Sequence, residues 1–402
     1  MVLENFLPKI LPKILLPPVS SVMESNRTLP QNHTDNSCYS DSFNLDATAK
    51  IGQMLAYIAI FVFSLIGNSL IAMVFHREKG LRTTVDCFIL NMAFSDFLFA
   101  VTVVPRRITE ILSSPQEWHM GGLLGEVLCK TTYIIQDVST AVSIQSLVII
   151  AVDRFRSIVF PLKPYFITTS IRAILLFLTW VVAFGFHTPY IYTWRLVLQN
   201  NQTFCIYSWA PFYKQETVTR TYFLVLSCFL FFIPTVTMIC LYCAIIVRLR
   251  QGQNTVINYS SNLRNSWNRR NRNVLNTVIA VVIVFILSWL PFNIVVYLFF
   301  FSWDSRPSCI ARTIASYTVI LAHTNNALNP YVIFAFSTNY RDGLRALFCH
   351  QKVRPRQTVR TEAKVVSGTD WTKNDQKSRC LQRITASQEQ NELLYDCYDT
   401  RL

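Results

Sequence analysis

The chain has 402 residues, of which 51% are hydrophobic and only 15% are charged, and its mean hydropathy is +0.31. This balance indicates a membrane protein rather than a soluble chain of two or three domains. The formal net charge of +14 does not favour a nucleic-acid partner, because the basic residues fall in short connectors between apolar runs and in the C-terminal tail.

Residues 1–52 are predicted to form a flexible segment. Asn26 and Asn32 begin sequons, which become glycosylation sites if the segment is extracellular. The opening stretch MVLENFLPKILPKILLPPVSS is interrupted by prolines, which makes it a poor signal-peptide core. We therefore expect an uncleaved N-terminus.

Residues 53–337 contain seven apolar runs, each about long enough to cross a bilayer as an α-helix. The connectors after the first, third and fifth runs are rich in Lys and Arg, whereas the others mix in Glu and Asp. Basic connectors stay on the cytoplasmic side, so the N-terminus is predicted outside, together with the sequon at Asn201, and the tail inside. The predicted fold class is an all-α membrane protein, a bundle of seven transmembrane helices, with runs near 53–76, 85–108, 127–155, 171–192, 220–248, 273–301 and 311–336.

Polar side chains recur inside these runs. A carboxylate at the depth of Asp96 is costly in a membrane unless it is partnered or hydrated. We expect an interior polar cluster around Asp96 that can hold water or a small cation such as Na⁺, and the alternative is a protonated, hydrogen-bonded Asp96. The other polar residues of the runs are Asn68, Ser143, Asn325 and Asn329.

Prolines and cysteines also fall inside the runs. Each proline removes a helical hydrogen bond and is expected to kink its helix, and the stretch FILSWLPF is a candidate hinge. The cysteines inside the runs are interpreted as packing residues rather than as metal ligands. The prolines are Pro105, Pro189, Pro234, Pro291 and Pro330, and the cysteines are Cys87, Cys228, Cys240 and Cys243.

Residues 338–350 are predicted to form a short amphipathic helix on the inner membrane surface. Arg341 and Arg345 fall on one side of this helix, and the other side is apolar, with Tyr340, Leu344, Leu347 and Phe348. Cys349 at its end is either a palmitoylation site or a free thiol.

Residues 351–402 are polar and are predicted to be a disordered cytoplasmic tail. The stretch 389–394 resembles an acidic dileucine signal, and the last three residues resemble a PDZ ligand, which would add a strand to a sheet edge. Phosphorylation of the tail, for example at Thr358, Ser367 or Ser378, would favour arrestin binding.

Every run carries a landmark, and their order and spacing resemble those of the rhodopsin-like G-protein-coupled receptors over residues 50–350. The landmarks are Gly67-Asn68, LNMAFSD ending at Asp96, Cys129 with Asp153-Arg154-Phe155, Trp180, Pro234 with Tyr242, Phe285 with Trp289-Leu290-Pro291, and Asn329-Pro330. Three positions depart from the family pattern. Phe155 replaces the tyrosine of Asp-Arg-Tyr, and Ile333 replaces the tyrosine that normally joins a water network in the active state. Asn271 stands at the base of the sixth run where the family often has an acidic residue, so no ionic latch from there to Arg154 is expected.

The resemblance implies a disulfide between Cys129 and Cys205. We add a second bridge, Cys38 to Cys309, as a hypothesis, with unpaired thiols as the alternative. An enzyme is disfavoured, because His187 and His323 have no nucleophile in recognisable context. A transporter would usually show internal repeats, and none is visible in the sequence.

The resemblance also assigns signalling roles. Arg154 would hold the inactive state by pairing with Asp153 and would meet a heterotrimeric G protein when the sixth helix swings outward. Leu162 and Tyr242 would belong to the same coupling surface. Pro234, Ile144 and Phe285 would connect the ligand pocket to the hinge, with Trp289 as a toggle and with Pro291, Asn329 and Pro330 as further switch positions. Asp96, Ser143, Asn325 and Asn329 would form the family's sodium pocket.

Amine receptors of this family carry an aspartate at the position of Gln136, so a small-amine ligand is disfavoured. Opsins need a lysine in the seventh run, where this chain has His323, so light detection is excluded. Gln136 resembles the neuropeptide branch, such as RFamide, orexin and tachykinin receptors, in which an amide side chain can bond an amidated peptide C-terminus. The alternative is a non-peptide ligand, a lipid or a small metabolite.

A β-hairpin is predicted over WRLVLQNNQTFCIYSWAPFYK, covering the pocket mouth. The pocket residues favoured here are Gln136, Asp137 and Asn293. The wider set of candidates adds Arg106, Arg107, Glu110, Trp118, His187, Glu216 and Asp304.

Overall fold

The structure is a computed structural model, which describes residues 47–78, 80–113, 116–160, 167–199, 201–255, 261–302 and 309–349. Side chains are described for all of these except residues 252–255 and 261–273, Cys309 and Cys349. The predictions for Asn26, Asn32, Cys38, Leu162, Asp304 and the tail therefore concern residues outside the described ones, and so does the prediction for the Cys349 thiol.

The described chain is mostly helical. Its helices are α1 (Ala47–Arg77), α2 (Thr84–Leu112), α3 (Gly122–Val159), α4 (Thr169–His187), α5 (Gln215–Ser227, a π-helical turn Cys228–Phe232, and Ile233–Thr255), α6 (Ser261–Phe301), α7 (Cys309–Phe336) and α8 (Thr338–Cys349). A short helical turn, Tyr190–Thr193, leads into strand β1 (Trp194–Gln199), which pairs antiparallel with β2 (Gln202–Tyr207).

Helices α1 to α7 correspond to the seven predicted runs, so the predicted bundle is confirmed. By length and composition, six of the described helices are apolar enough to cross a membrane: α1, α2, α3, α4, α5 over Gln215–Gln251, and α6 over Val274–Phe301. Helix α7 is less apolar because it contains the stretch HTNNALN, whose His323, Asn325, Asn326 and Asn329 are all buried.

Two predictions about these helices need correction. Helix α1 begins at Ala47 rather than at residue 53. Pro189 does not lie inside the fourth helix, because α4 ends at His187. Proline has no backbone N–H and cannot donate the next helical hydrogen bond. Helical hydrogen bonding resumes where the Ile191 N–H donates to the Thr188 carbonyl at 3.1 Å.

The remaining prolines lie within helices. Pro105, Pro291 and Pro330 are inside α2, α6 and α7. In α5 the π-helical turn ends just before the segment that contains Pro234, and single π turns of this kind often occur at functional positions.

The interior between the helices is closely packed. Ile71, Phe88, Ile150 and Phe285 belong to one apolar core cluster in which each is at most 1% exposed. Helices α1 and α7 approach closely because Gly67 has no side chain, and a Cβ there would lie 2.9 Å from Pro330.

The four cysteines interpreted as packing residues rather than as metal ligands differ in their exposure. Cys228, Cys240 and Cys243 are exposed on α5, and only Cys87 is partly buried. An apolar run faces lipid on one side, so its cysteines need not point into the bundle.

Candidate functional site

A cavity of about 870 Å³ opens at the outer end of the bundle, and each of α1 to α7 contributes to its wall. The three favoured residues, Gln136, Asp137 and Asn293, all line it, as predicted. Arg107, Glu110 and His187 from the wider set line it too, whereas Arg106, Trp118 and Glu216 are not among the described lining residues.

Glu110 on α2 lies between two arginines. Arg107 Nη1 donates to Glu110 Oε2 at 2.9 Å, and Arg106 Nη1 donates to Oε1 of the same carboxylate. The guanidinium of Arg106 also lies over the Tyr133 ring, 3.9 Å from its centroid, and Tyr133 donates its hydroxyl proton to Glu110 at 3.0 Å. The i, i+3 and i, i+4 spacings place these three charges on one face of α2. The charge of Glu110 is therefore compensated within the protein.

Gln136 joins this cluster to the next carboxylate. Its Oε1 accepts hydrogen bonds from Arg106 and, at 3.5 Å, from Arg107, and its Nε2 donates to Asp137 Oδ1 at 3.3 Å. Sequence reasoning did not find the arginine partners of Gln136. The available signal was Arg106-Arg107 followed by Glu110 in an apolar helix, because charges at that depth need partners.

Asp137 is partly buried and faces an aromatic cluster. Tyr190 donates its hydroxyl proton to Asp137 Oδ2 at 2.6 Å. The Tyr190 ring has four aromatic neighbours with ring centroids between 5.4 and 6.4 Å away: His187, Trp194, Tyr207 and Tyr222. Burial raises the pKa of the Tyr207 phenol to about 12, so that hydroxyl stays protonated at neutral pH.

Asn293 links α5 to α6 at the cavity wall. Ser227 donates to its Oδ1 at 3.0 Å, and its Nδ2 donates to the Trp289 carbonyl at 3.0 Å. Asn293 therefore couples the cavity to the residue predicted to act as a toggle. Phe285 lies directly below, with its ring 6.4 Å from that of Trp289 and 6.0 Å from that of Phe231.

The predicted β-hairpin is confirmed, and a disulfide between Cys129 and Cys205 attaches it to α3 with a Cα–Cα distance of 5.8 Å. The connector between α2 and α3 pairs with β2, since Trp118 N–H donates to the Thr203 carbonyl at 2.8 Å and Cys205 N–H donates to the Gln116 carbonyl at 2.9 Å. The hairpin is thus fixed on two sides where Trp194 and Gln116 line the cavity.

Asn201 occupies the turn of the hairpin and is exposed. Its φ of 64° lies in the left-handed region, which asparagine tolerates better than most residues. The third sequon asparagine is therefore accessible.

A polar cluster surrounds Asp96 in the middle of the bundle, as expected. Asp96 is 0% exposed, Ser143 donates to its Oδ1 at 3.2 Å, and Asn329 donates to its Oδ2 at 2.9 Å. Asn325 is also buried, and the Oδ1 atoms of Asn325, Asn329 and Asn68 have no hydrogen-bond partner among the described residues. Buried carboxylate and amide oxygens of this kind fit a small hard cation.

At the inner end, Arg154 Nη2 donates to Asp153 Oδ2 at 2.6 Å, and its Nε donates to the same oxygen at 3.1 Å. The predicted pair is therefore present. Tyr242 is buried nearby on α5, and Ile144 is 0% exposed in the core cluster that contains Phe285.

Ile333, which replaces the usual tyrosine, is 3% exposed in the apolar core. Tyr340, predicted on the apolar side of α8, is 1% exposed and lies with its ring 6.4 Å from that of Phe334. Tyr340 belongs to the apolar core cluster and so anchors α8 to the bundle.

Comparison with known proteins places this arrangement among receptors. Residues 67–332 match the model of the family described as 7 transmembrane receptor (rhodopsin family). The chain is 29% identical to the QRFP-like peptide receptor of Branchiostoma floridae over 324 residues, 78% of this chain and 82% of the relative. It is 27% identical to neuropeptide FF receptor 2 of Mus musculus, over 77% and 76% of the two chains, and 26% identical to probable G-protein coupled receptor 19 of Rattus norvegicus, over 88% and 83%.

Proposed function

Because the chain belongs to the rhodopsin family of seven-transmembrane receptors, we propose that it binds an extracellular neuropeptide and activates a heterotrimeric G protein. It is a multi-pass membrane receptor rather than an enzyme. The names of its relatives, a QRFP-like peptide receptor and a neuropeptide FF receptor, support a peptide ligand.

The observation that carries this proposal is the outer cavity with its fixed hairpin. A volume of about 870 Å³ accommodates the last few residues of a peptide rather than a whole peptide. The disulfide and the backbone bonds to Gln116 and Trp118 hold the hairpin in place. A preformed mouth of this kind reduces the ordering cost when an extended ligand binds.

We further propose that the peptide is C-terminally amidated and that Gln136 recognises the amide. The Gln136 carbonyl oxygen already accepts from Arg106, and its amide nitrogen donates to Asp137. A ligand amide presents one acceptor and two donors, so it can exchange with these bonds without leaving a buried group unpaired.

The test is a second-messenger screen of cells that express the receptor, with amidated peptides and the same peptides as free acids. We expect an amidated agonist whose potency falls at least tenfold as the free acid and in the Gln136→Ala variant. Leu287→Ala is the control, since Leu287 is 63% exposed on the outside of the bundle. An agonist whose potency is the same as the free acid and in Gln136→Ala would contradict the amide assignment. A response to lipids alone would favour the non-peptide alternative.

Signalling would reach the G protein through the sixth helix. When a ligand moves Trp289 through Asn293, α6 would bend at Pro291 and swing outward, and Arg154 would leave Asp153 to meet the G protein together with Leu162 and Tyr242. The short bonds between Arg154 and Asp153 support the starting state of this change.

We propose that the Asp96 cluster holds Na⁺ as an allosteric ion. The unpaired oxygens of Asn325 and Asn329 beside the buried carboxylate support this proposal. Replacing NaCl by choline chloride should raise agonist potency in the parent receptor and leave the Asp96→Asn variant unchanged. Equal sodium sensitivity in both would contradict it.

We place the receptor in the plasma membrane with its N-terminus outside. We also propose N-glycans at Asn26, Asn32 and Asn201 and a palmitoyl group on Cys349. Arrestin would bind the phosphorylated tail, and a PDZ protein would bind the C-terminus. Epitope tags at the two ends should be accessible on opposite sides of intact cells, and accessibility on one side only would contradict the topology.

A further inference from the structure

A buried carboxylate lies at the inner end of α2. Asp86 is 7% exposed. Thr83, which caps α2, donates to Asp86 Oδ2 from its backbone N–H at 3.1 Å and from its hydroxyl at 2.6 Å. Both of these bonds end on one oxygen, so the cap does not use the other oxygen of the carboxylate. Helix capping therefore accounts for only part of what Asp86 can bind.

Arg154 on α3 is the cation that interacts electrostatically with Asp86. The described side chains of these two residues form no direct ion pair, and Arg154 Nε and Nη2 both donate to Asp153. A guanidinium has more N–H donors than these two bonds use, so it can serve a second acceptor. A buried carboxylate is unfavourable unless a positive charge compensates it. Arg154 is thus attracted by two buried acids, Asp153 on its own helix and Asp86 on α2.

Tyr340 brings α8 to the same carboxylate. The side chain of Tyr340 is 1% exposed, and its hydroxyl interacts electrostatically with Asp86. This hydroxyl makes no direct hydrogen bond with any described residue. A buried hydroxyl without a partner is unfavourable, so its position near a carboxylate favours a hydrogen bond that is bridged by water or completed by a small side-chain movement. Asp86 therefore has a neutral donor on α8 and a cation on α3 as its neighbours.

Close packing holds α8 at this place. A Cβ at Gly343 on α8 would lie 2.6 Å from the Val74 side chain and 3.1 Å from that of Glu78, at the end of α1. Where α7 ends, Arg341 donates to the Ala335 carbonyl at 2.6 Å. Contacts this close leave little room for α8 to slide, so the tyrosine near its start stays beside α2.

A restraint on Arg154 from α2 differs from the one expected in the family. Asn271 stands at the base of the sixth helix where the family often has an acidic residue, so α6 offers no carboxylate at that position. Asp86 offers a carboxylate from α2, which packs against α1 and α3. Such a restraint acts on the Arg154 side chain itself rather than on the position of α6.

We propose that Asp86 is a second resting-state partner of Arg154 and that Tyr340 positions Asp86 for this role. In the agonist-free receptor, the two acids together hold the guanidinium away from a G protein. Activation then requires Arg154 to leave both Asp153 and Asp86. This inference rests on the proposed coupling of Arg154 to a G protein, and it adds how the receptor is kept inactive without an acidic residue at position 271.

The first experiment measures the interaction without any signalling. The melting temperature of the purified full-length receptor is compared for the parent, Asp86→Asn, Arg154→Gln and the double variant. Asp86→Asn keeps an acceptor for the Thr83 N–H, so the cap of α2 is retained while the charge is removed. We expect Arg154→Gln to lower the melting temperature more in the parent than in the Asp86→Asn background, because only in the parent does a buried carboxylate on α2 lose its cation.

The second experiment measures basal nucleotide exchange on a purified heterotrimeric G protein, with the agonist-free receptor in lipid nanodiscs. Asp86→Asn should raise basal exchange about fivefold, the effect of one typical hydrogen bond or ion pair lost from the resting state. Tyr340→Phe should raise it less and should add nothing in the Asp86→Asn background, because Tyr340 acts through Asp86. Tyr331→Phe is the matched control and should leave exchange unchanged, since the Tyr331 hydroxyl donates to the Phe63 carbonyl on α1 at 3.0 Å.

Additive changes in melting temperature, or unchanged basal exchange in Asp86→Asn, would overturn the proposal. An equal rise in Thr83→Ala, which removes the cap hydroxyl but keeps the charge, would also overturn it, because the effect would then come from the cap. A further rise on adding Tyr340→Phe to Asp86→Asn would overturn the positioning role of Tyr340.

Tyr340→Phe decides the matter if Asp86→Asn does not fold, because it keeps the ring, and unchanged basal exchange in this variant would overturn the proposal. The proposed function is tested separately by an agonist. If the melting temperatures show the interaction but no agonist elicits exchange through the parent receptor, the proposed function fails while the pairing of Asp86 with Arg154 stands.

Discussion

At the outer end of the bundle, polar and aromatic side chains surround a cavity of about 870 Å³, whereas toward the inner end apolar side chains fill the space between the same helices. The outer end depends on individual links: the Cys129–Cys205 disulfide, the Arg106–Glu110 pair and the hydrogen bond from Tyr190 to Asp137. The inner end depends on many small packing contacts, with Asp153 and Arg154 as its prominent ion pair.

We interpret the outer end as the ligand-binding part of the molecule and the inner end as its signalling part. A polar residue of the outer end can be substituted, and the ligand preference changed, without disturbing the packing below it. A close-packed residue cannot be substituted in this way, because a change of side-chain volume shifts the neighbouring side chains. Changes at the outer end should therefore alter ligand binding first, and changes at the inner end should alter stability first.

The largest expected effect comes from replacing Cys129 and Cys205 together by serine. The disulfide joins residues 76 positions apart, and a closed loop of that length restricts the unfolded chain by up to roughly 4 kcal/mol. We expect agonist binding to be lost, because the freed hairpin no longer covers the cavity. Radioligand binding on membranes measures this, with Cys228→Ser as the control, since Cys228 is an exposed free thiol. Unchanged binding in the double variant would show that the hairpin does not shape the site.

The next effect tests the inner packing. Phe285 is 1% exposed, and Phe285→Ala should lower stability by about 3 kcal/mol, since truncating a buried phenylalanine leaves a cavity. The melting temperature of the purified receptor reports this change. Leu287→Ala on the same helix is the matched control because Leu287 is 63% exposed. Equal losses in the two variants would mean that the interior around Phe285 is not close-packed.

A smaller effect is expected where α1 meets α7. Gly67→Ala places a Cβ 2.9 Å from the Pro330 side chain, and relieving such overpacking costs about 2 kcal/mol. Gly52→Ala on the same helix meets no atom within 4 Å, and its gain in helix propensity should leave the melting temperature unchanged or raised. The opposite order of the two melting temperatures would contradict the close approach of these helices.

Much of the inner end could be predicted from the sequence because its landmarks are individual residues at characteristic spacings. The pairing of Arg154 with Asp153 is an example, and so is the Asp96 cluster in the middle of the bundle. These contacts involve residues that the resemblance to the receptor family had singled out.

The outer end could be predicted only in part. The position of Gln136 at the cavity was predictable, but its bond from Arg106 joins different helices at a separation of 30 residues, which no periodicity reveals. For the same reason the sequence could not show that Glu110 pairs with two arginines while Asp137 accepts hydrogen bonds from Tyr190 and Gln136. The end of α4 before Pro189 was missed because the apolar run continues past the point where the proline interrupts the helix.

The central claim is that a ligand bound in the outer cavity acts on a G protein through Arg154. Its most direct test is nucleotide exchange on a purified heterotrimeric G protein, with the receptor in lipid nanodiscs and an agonist from the amidated-peptide screen. We expect agonist-driven exchange with the parent receptor and none with Arg154→Ala, while agonist binding to the variant persists. Intact exchange with Arg154→Ala would contradict it.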